Sequence, residues 1–267
     1  MTTDIRDDRT VVLLHGWPGL PSDYDAVTAD LTDLRTLTPD LLAPDLLGMG
    51  AGFDGIPSVE ASTAESHAER VLAGLDDAGI TTGVIIVGCD IGSRIAQAAL
   101  RADPSRFHGA VLTPAYPGVG DRAASPALAS VFWYQHFHRD PVATQLIDGD
   151  ERAVRTYLTH TWNSWRADAA PPPHLNEIIA AYARPGAFAA SLQWYVANRG
   201  YTADTAPITV PTTMLWPGAD PLFPTDWADR LPDHVTDVRL DVIPGCGHFV
   251  PVERPDAVVR AIRSHLG

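Results

Sequence analysis

The sequence predicts an α/β protein: a mostly parallel sheet with helices on both faces, its chain interrupted by a helical lid. Three observations carry this. Short β-branched runs alternate with amphipathic stretches towards both ends of the 267 residues, the pattern of parallel strands joined by helical crossovers. From about 116 to 205 that rhythm stops, and the chain becomes aromatic, Pro-punctuated and helical in texture. The β rhythm then returns for two strands and a last helix. Residues 1–115 and 206–267 are accordingly read as the core and 116–205 as the lid. Such a lid would cover the carboxyl edge of the sheet, where these folds bind ligands.

Taken in order, Thr10–Leu14 is the first strand, ending abruptly at His15-Gly16-Trp17-Pro18-Gly19. A helix is expected over 23–34, with Ser22 placed to cap it. A weaker strand at about 35–39 leads into Pro44-Asp45-Leu46-Leu47-Gly48-Met49-Gly50. Residues 61–78 repeat Ala64, Ala68, Val71 and Leu75 at helical spacing, opened by Ser62 or Thr63. The run 83–88 (GVIIVG) is the most β-branched in the chain, and Ile91–Ala102 returns to helix. Ala110–Thr113 is a further strand. Beyond the lid come strands Thr212–Trp216 and Val238–Ile243 and a closing helix, Asp256–Leu266.

Charge narrows the function. With 33 acidic residues against 19 basic ones, every one of them Arg, the net charge is -14 at pH 7. That balance repels nucleic acid and anionic membranes. Cys89 and Cys246 offer neither a disulfide framework nor metal-ligand spacing, and no metal or organic cofactor is expected. The opening MTTDIRDDRT lacks the basic and apolar regions of a signal peptide, and no apolar run reaches membrane-spanning length. A cytoplasmic protein is the expectation. Oligomeric state is not legible.

Four short motifs carry the chemistry. Gly88-Cys89-Asp90-Ile91-Gly92 lies where a strand runs directly into a helix. Small residues on either side suit a sharp turn that pushes the middle side chain outward as a nucleophile. Taken alone, Asp90 reads first as a helix cap; the other motifs make it specific. Gly245-Cys246-Gly247-His248-Phe249 follows the last strand, and His248 there fits a general base. Trp216-Pro217-Gly218-Ala219-Asp220-Pro221 ends another strand, and Asp220 is placed to orient His248, with Asp121 the other candidate. His15-Gly16-Trp17-Pro18-Gly19 can turn the Trp17 N–H inward to form an oxyanion hole with that of Ile91. The order nucleophile, acid, base is the one an α/β hydrolase requires.

On these residues the chain resembles the α/β-hydrolase superfamily along nearly its whole length. Asp45, Gly48 and Gly50 match that superfamily's PDLxGxG segment. About ten residues precede the first strand, so the resemblance implies a truncated N-terminal sheet edge. An Asp nucleophile resembles the epoxide hydrolases and the dehalogenases within it. Val131-Phe132-Trp133-Tyr134-Gln135 and Ser191-Leu192-Gln193-Trp194-Tyr195 resemble two epoxide-hydrolase lid segments, whose Tyr residues hydrogen-bond the oxirane oxygen. The resemblance thus implies Tyr134 and Tyr195 as acids, and Trp133, Trp194 and Phe249 as substrate-binding residues. Ile91 departs from both groups, which often carry Trp there, and the loss of an indole N–H weighs more against a halide leaving group. Arg94 matches one Arg of the fluoroacetate dehalogenases, but their other Arg and lid His-Trp pair are missing. The implied substrate is a small hydrophobic epoxide, opened with water to a vicinal diol. A dehalogenase with the same nucleophile, or a small-molecule receptor on the same fold, are the alternatives.

Overall fold

The computed structural model describes residues 9–39, 55–123, 125–168, 171–199 and 206–267. The segment 44–50 and the residues 1–8 ahead of the first strand lie outside them. Among the described residues there are six strands: β1 (Thr10–Leu14), β2 (Arg35–Leu37), β3 (Val84–Gly88), β4 (Phe107–Leu112), β5 (Thr212–Pro217) and β6 (Val238–Ile243). They form one sheet in the order β2-β1-β3-β4-β5-β6, and every neighbouring pair is parallel. Chain order reverses around β1, which leaves a crevice at the carboxyl ends of β1 and β3.

Period-two alternation sorts the strand side chains onto the two faces. Val11, Leu13, Ile85 and Val87 pack on one side with Tyr24, Val258 and Ile262. That side is covered by α1 (Asp25–Ala29) and, from the end of the chain, by the helix Pro255–Ser264. Val12, Leu14 and Ile86 join the opposite cluster, covered by α2 (Ala64–Asp77) and α3 (Ile91–Ala102). Thr63 caps α2, its hydroxyl accepting from the Ser66 N–H at 3.1 Å. The expected helix over 23–34 is shorter. A 3-10 turn at Pro21–Tyr24 precedes the five-residue α1, and Ser22 lies inside that turn rather than capping it. Tyr24 explains the local geometry, because its buried hydroxyl donates to the Leu14 carbonyl and pins the turn to β1.

Between β4 and β5 the described residues hold six helices: α4 (Pro117–Ala123), α5 (Trp133–Arg139), α6 (Pro141–Ile147), α7 (Glu151–Trp165), α8 (Leu175–Tyr182) and α9 (Ala187–Ala197). Their apolar faces merge with the α2/α3 side of the core through Phe132, Trp162, Phe188 and Leu192. Polar bonds fasten them to the loop after β1. Trp162 Nε1 donates to the Pro18 carbonyl, the Tyr182 hydroxyl to that of Gly19, and Trp17 Nε1 to Ser191 Oγ. After β6 come α10 (Val250–Glu253) and α11 (Pro255–Ser264). No described helix is long and apolar enough to cross a membrane.

Candidate active site

Asp90 sits between β3 and α3 with φ 53° and ψ -120°, a strained backbone for a residue with a side chain. Its neighbours make the turn possible. A Cβ on Gly92 would meet the carbonyl oxygens of Leu14 and His15 at 2.2 and 2.5 Å, and one on Gly88 would meet that of Gly92 at 2.5 Å. The Asp90 N–H donates to Thr113 Oγ1 at 3.0 Å, anchoring the turn to the end of β4. Gly16 allows the loop after β1 to close on Asp90, since a Cβ there would lie 2.7 Å from Asp90 Cβ. The Trp17 N–H then donates to Asp90 Oδ1 at 2.9 Å. Ile91 lines the cavity next to Asp90.

His248 reaches the same point from the loop after β6. Its Nε2 lies 3.4 Å from Asp90 Oδ2 and makes no full hydrogen bond, while Nδ1 is 2.9 Å from Asp220 Oδ2. Asp220 is itself held, its Oδ1 accepting from the Leu222 N–H at 2.8 Å. Asp121, the other candidate acid, belongs to α4, which follows β4. Burial drives the His248 imidazole down, but the charge and hydrogen bond of Asp220, with the nearby Asp90 carboxylate, outweigh it and lift the ring to about 10. The rings of Trp165, Phe223 and Phe249 enclose it at 5.3, 5.8 and 5.3 Å.

A cavity of about 440 Å³ opens onto Asp90. Tyr134 from α5 and Tyr195 from α9 both line it, their rings 6.0 Å apart and at right angles. Burial first, and then the charge of Asp90, raises both phenols well above their ordinary value, so they stay protonated. Trp194 lines the same cavity, with Phe132 and Phe223. The other two expected substrate-binding residues stand elsewhere. Trp133 is 44% exposed on the outer side of α5, against Phe137 and Tyr157, because a helix turns consecutive residues about 100° apart and Tyr134 takes the inward position. Phe249 is buried, stacked on Trp162 at 3.7 Å, and supports His248 from behind.

Several supporting residues carry no signal in the sequence alone. Glu253 on α10 accepts from three backbone N–H groups, those of Gly247, Phe249 and, just beyond α7, Ala167. This carboxylate shapes the loop that carries His248. The His248 N–H adds a bond to the Trp165 carbonyl at 2.9 Å. His138 meets both Trp17 and Tyr195 edge-on, with ring centres 4.4 Å apart, and its Nε2 shares a 2.7 Å hydrogen bond with the Tyr157 hydroxyl. Spacing to His248 marks Glu253 only as one more helical acid; Gly247 and Phe249 are close to it in sequence, but Ala167 is 86 residues away.

The chain belongs to the alpha/beta hydrolase family, whose model matches residues 11–261. It is similar to a soluble epoxide hydrolase of Corynebacterium sp. (strain C12), 26% identical over 264 residues that span 93% of this chain and 87% of the relative. It is also similar to a 2-hydroxy-6-oxononadienedioate/2-hydroxy-6-oxononatrienedioate hydrolase of Cupriavidus pinatubonensis (strain JMP 134 / LMG 1197), at 24% over 262 residues, 97% of this chain and 86% of that one. Among solved structures, the epoxide hydrolase CorEH without ligand matches with a TM-score of 0.81 at 21% identity, covering 97% of this chain and 91% of its own. Likeness at that identity speaks for the fold.

Proposed function

We propose that the protein hydrolyses an epoxide to a vicinal diol through an ester on Asp90. The observation that supports this best is one cavity holding a carboxylate at the strand–helix turn and two protonated phenols facing it from the lid. A carboxylate suits attack on saturated carbon, and an alkoxide leaving group needs a proton donor. Asp90 attacks an oxirane carbon, the C–O bond breaks, and the emerging alkoxide takes a proton from Tyr134 or Tyr195. Oδ1 is already on the Trp17 N–H, so charge develops there when water attacks the ester carbonyl. The Ile91 N–H is assigned the second donor position. His248, oriented by Asp220, takes the water's proton and returns it to the departing diol oxygen. The freed carboxyl group ionises, and the tyrosinate is reprotonated through solvent.

Timing follows from charge. In the resting site Asp90 helps to hold His248 protonated. Esterification removes that negative charge, so the ring becomes a better base in the step that needs one. The test is intact-protein mass spectrometry of His248→Gln after exposure to epoxides and alkyl halides. A mass gain equal to a whole epoxide is expected. A gain equal to an alkyl halide minus hydrogen halide would replace this reading with dehalogenation. Adducts from neither would favour a receptor.

A further inference from the structure

Among the described residues β6 is the last strand at its end of the sheet, paired with β5. The register of the two strands runs unbroken from Val238 to Ile243, so no bulge turns the outer edge away, and no Pro falls within the strand. Solvent reaches this edge. Leu240 and Val242 are 44% and 42% exposed, and the side chains of Arg239 and Asp241 are 65% and 45% exposed. Single exposed apolar side chains are ordinary, but a regular edge strand that carries them is a template for a strand from another chain.

Two bonds at the ends of the β5–β6 ladder fix which backbone groups point outward. The Thr212 N–H donates to the Asp237 carbonyl and the Gly218 N–H to that of Ile243, both at 2.9 Å. Within a strand the N–H and C=O of one residue point to the same side, and successive residues alternate. Asp237, Arg239, Asp241 and Ile243 therefore aim their backbone at β5, while Val238, Leu240 and Val242 aim theirs away from it. The side chains alternate as well, with the three apolar ones on one face and Arg239 and Asp241 on the other. The run Val238-Arg239-Leu240-Asp241-Val242 is thus complementary to itself about Leu240. We propose that the protein forms a two-fold dimer in which β6 pairs antiparallel with the β6 of a second copy, the axis passing at Leu240. Leu240 then meets the partner's Leu240, and Val238 meets the partner's Val242, each pair exchanging two backbone hydrogen bonds. Arg239 faces the partner's Asp241 at the closely spaced positions between them, where Cα atoms stand about 4.5 Å apart and opposite charges attract. A slip of two residues either way would set Arg239 on the partner's Arg239, or Asp241 on the partner's Asp241, so charge selects this register. The bland role for the two charges is their own contact, 3.6 Å apart along the strand. So exposed a pair adds little to a single chain, and that role makes no demand on a second copy.

Sedimentation equilibrium of the full chain from about 0.1 to about 100 μM should show a monomer–dimer equilibrium. Arg239→Asp and Asp241→Arg should each weaken self-association by about tenfold or more, because either one sets like charges face to face on both sides of the axis. Mixed in equal amounts, the two variants should associate with one another as tightly as wild type, since one chain then offers two acids to the other's two guanidinium groups. The double variant should regain self-association. Both side chains are exposed, so each single variant should melt as wild type does, and recovery on mixing can come only from folded chains. A monomer at every concentration overturns the inference and leaves the edge to a strand of another protein. A dimer that both single variants preserve, or a mixture that stays monomeric, overturns it too, because the contact then lies elsewhere or lacks the two-fold pairing.

Discussion

Glu253 offers the sharpest test of how the site is held. Its Oε2 accepts from the N–H groups of Ala167 and Gly247, both at 3.0 Å, and Oε1 from that of Phe249 at 3.1 Å. In Glu253→Gln one oxygen can keep the first two bonds, but the amide NH₂ then faces the Phe249 N–H. One hydrogen bond to a charged acceptor becomes a donor–donor contact, at a cost of about 1.5–3 kcal/mol. Glu253→Ala removes all three acceptors and leaves buried N–H groups that water satisfies in part, costing about 3–5 kcal/mol. For a chain of this size each kcal/mol lowers Tm by about 2–4 °C. Thermal unfolding should therefore show a fall of about 5 °C in Glu253→Gln and about twice that in Glu253→Ala. Because Gly247 and Phe249 flank His248, single-turnover kinetics should show ester hydrolysis slowed more than ester formation. Wild-type melting in both variants would refute the idea that this carboxylate organises the loop.

Four other outcomes are expected. Asp220→Ala should slow ester hydrolysis by about 10²–10⁴-fold with ester formation much less affected, and equal slowing of both steps in a burst assay would remove Asp220 from its orienting role. Tyr134→Phe and Tyr195→Phe should each slow ring opening by about tenfold or more, and the double variant by about 10²–10⁴-fold; unchanged single-turnover rates would return both rings to packing. Gly92→Ala forces a Cβ onto the Leu14 and His15 carbonyls, so it should yield little folded protein, and a normal melting curve would contradict the elbow geometry. Finally, His248 is lifted from its ordinary 6.5 to about 10, so its contribution to stability is complete below 6.5 and lost as pH rises through about 10. Between those values Tm should fall more steeply in wild type than in His248→Gln; parallel curves would sink the linkage.

Much of the site was legible because its chemistry is local. Asp90 announces itself through Gly88 and Gly92, whose missing side chains are required by contacts within one strand–turn–helix and by the adjoining β1 loop. His248 and Asp220 each follow a strand, and strand order in a parallel sheet brings their loops to one edge. Trp133 was less legible because its motif context places Tyr134 and its neighbour on the same short segment without saying which faces inward. Rotation about α5 decided that, and it sent Trp133 to the surface.

The alternation of strands and helices, the helical stretch between β4 and β5 and the residue types at the three strand ends are all legible in the chain alone, since each depends on sequence neighbours. Tertiary structure decided which aromatic rings reach the cavity and that Glu253 ties the His248 loop to Ala167. Those facts depend on groups far apart in sequence, and periodicity carries no information about which remote partner a side chain meets. Packing the helices between β4 and β5 against the β1 loop supplies it.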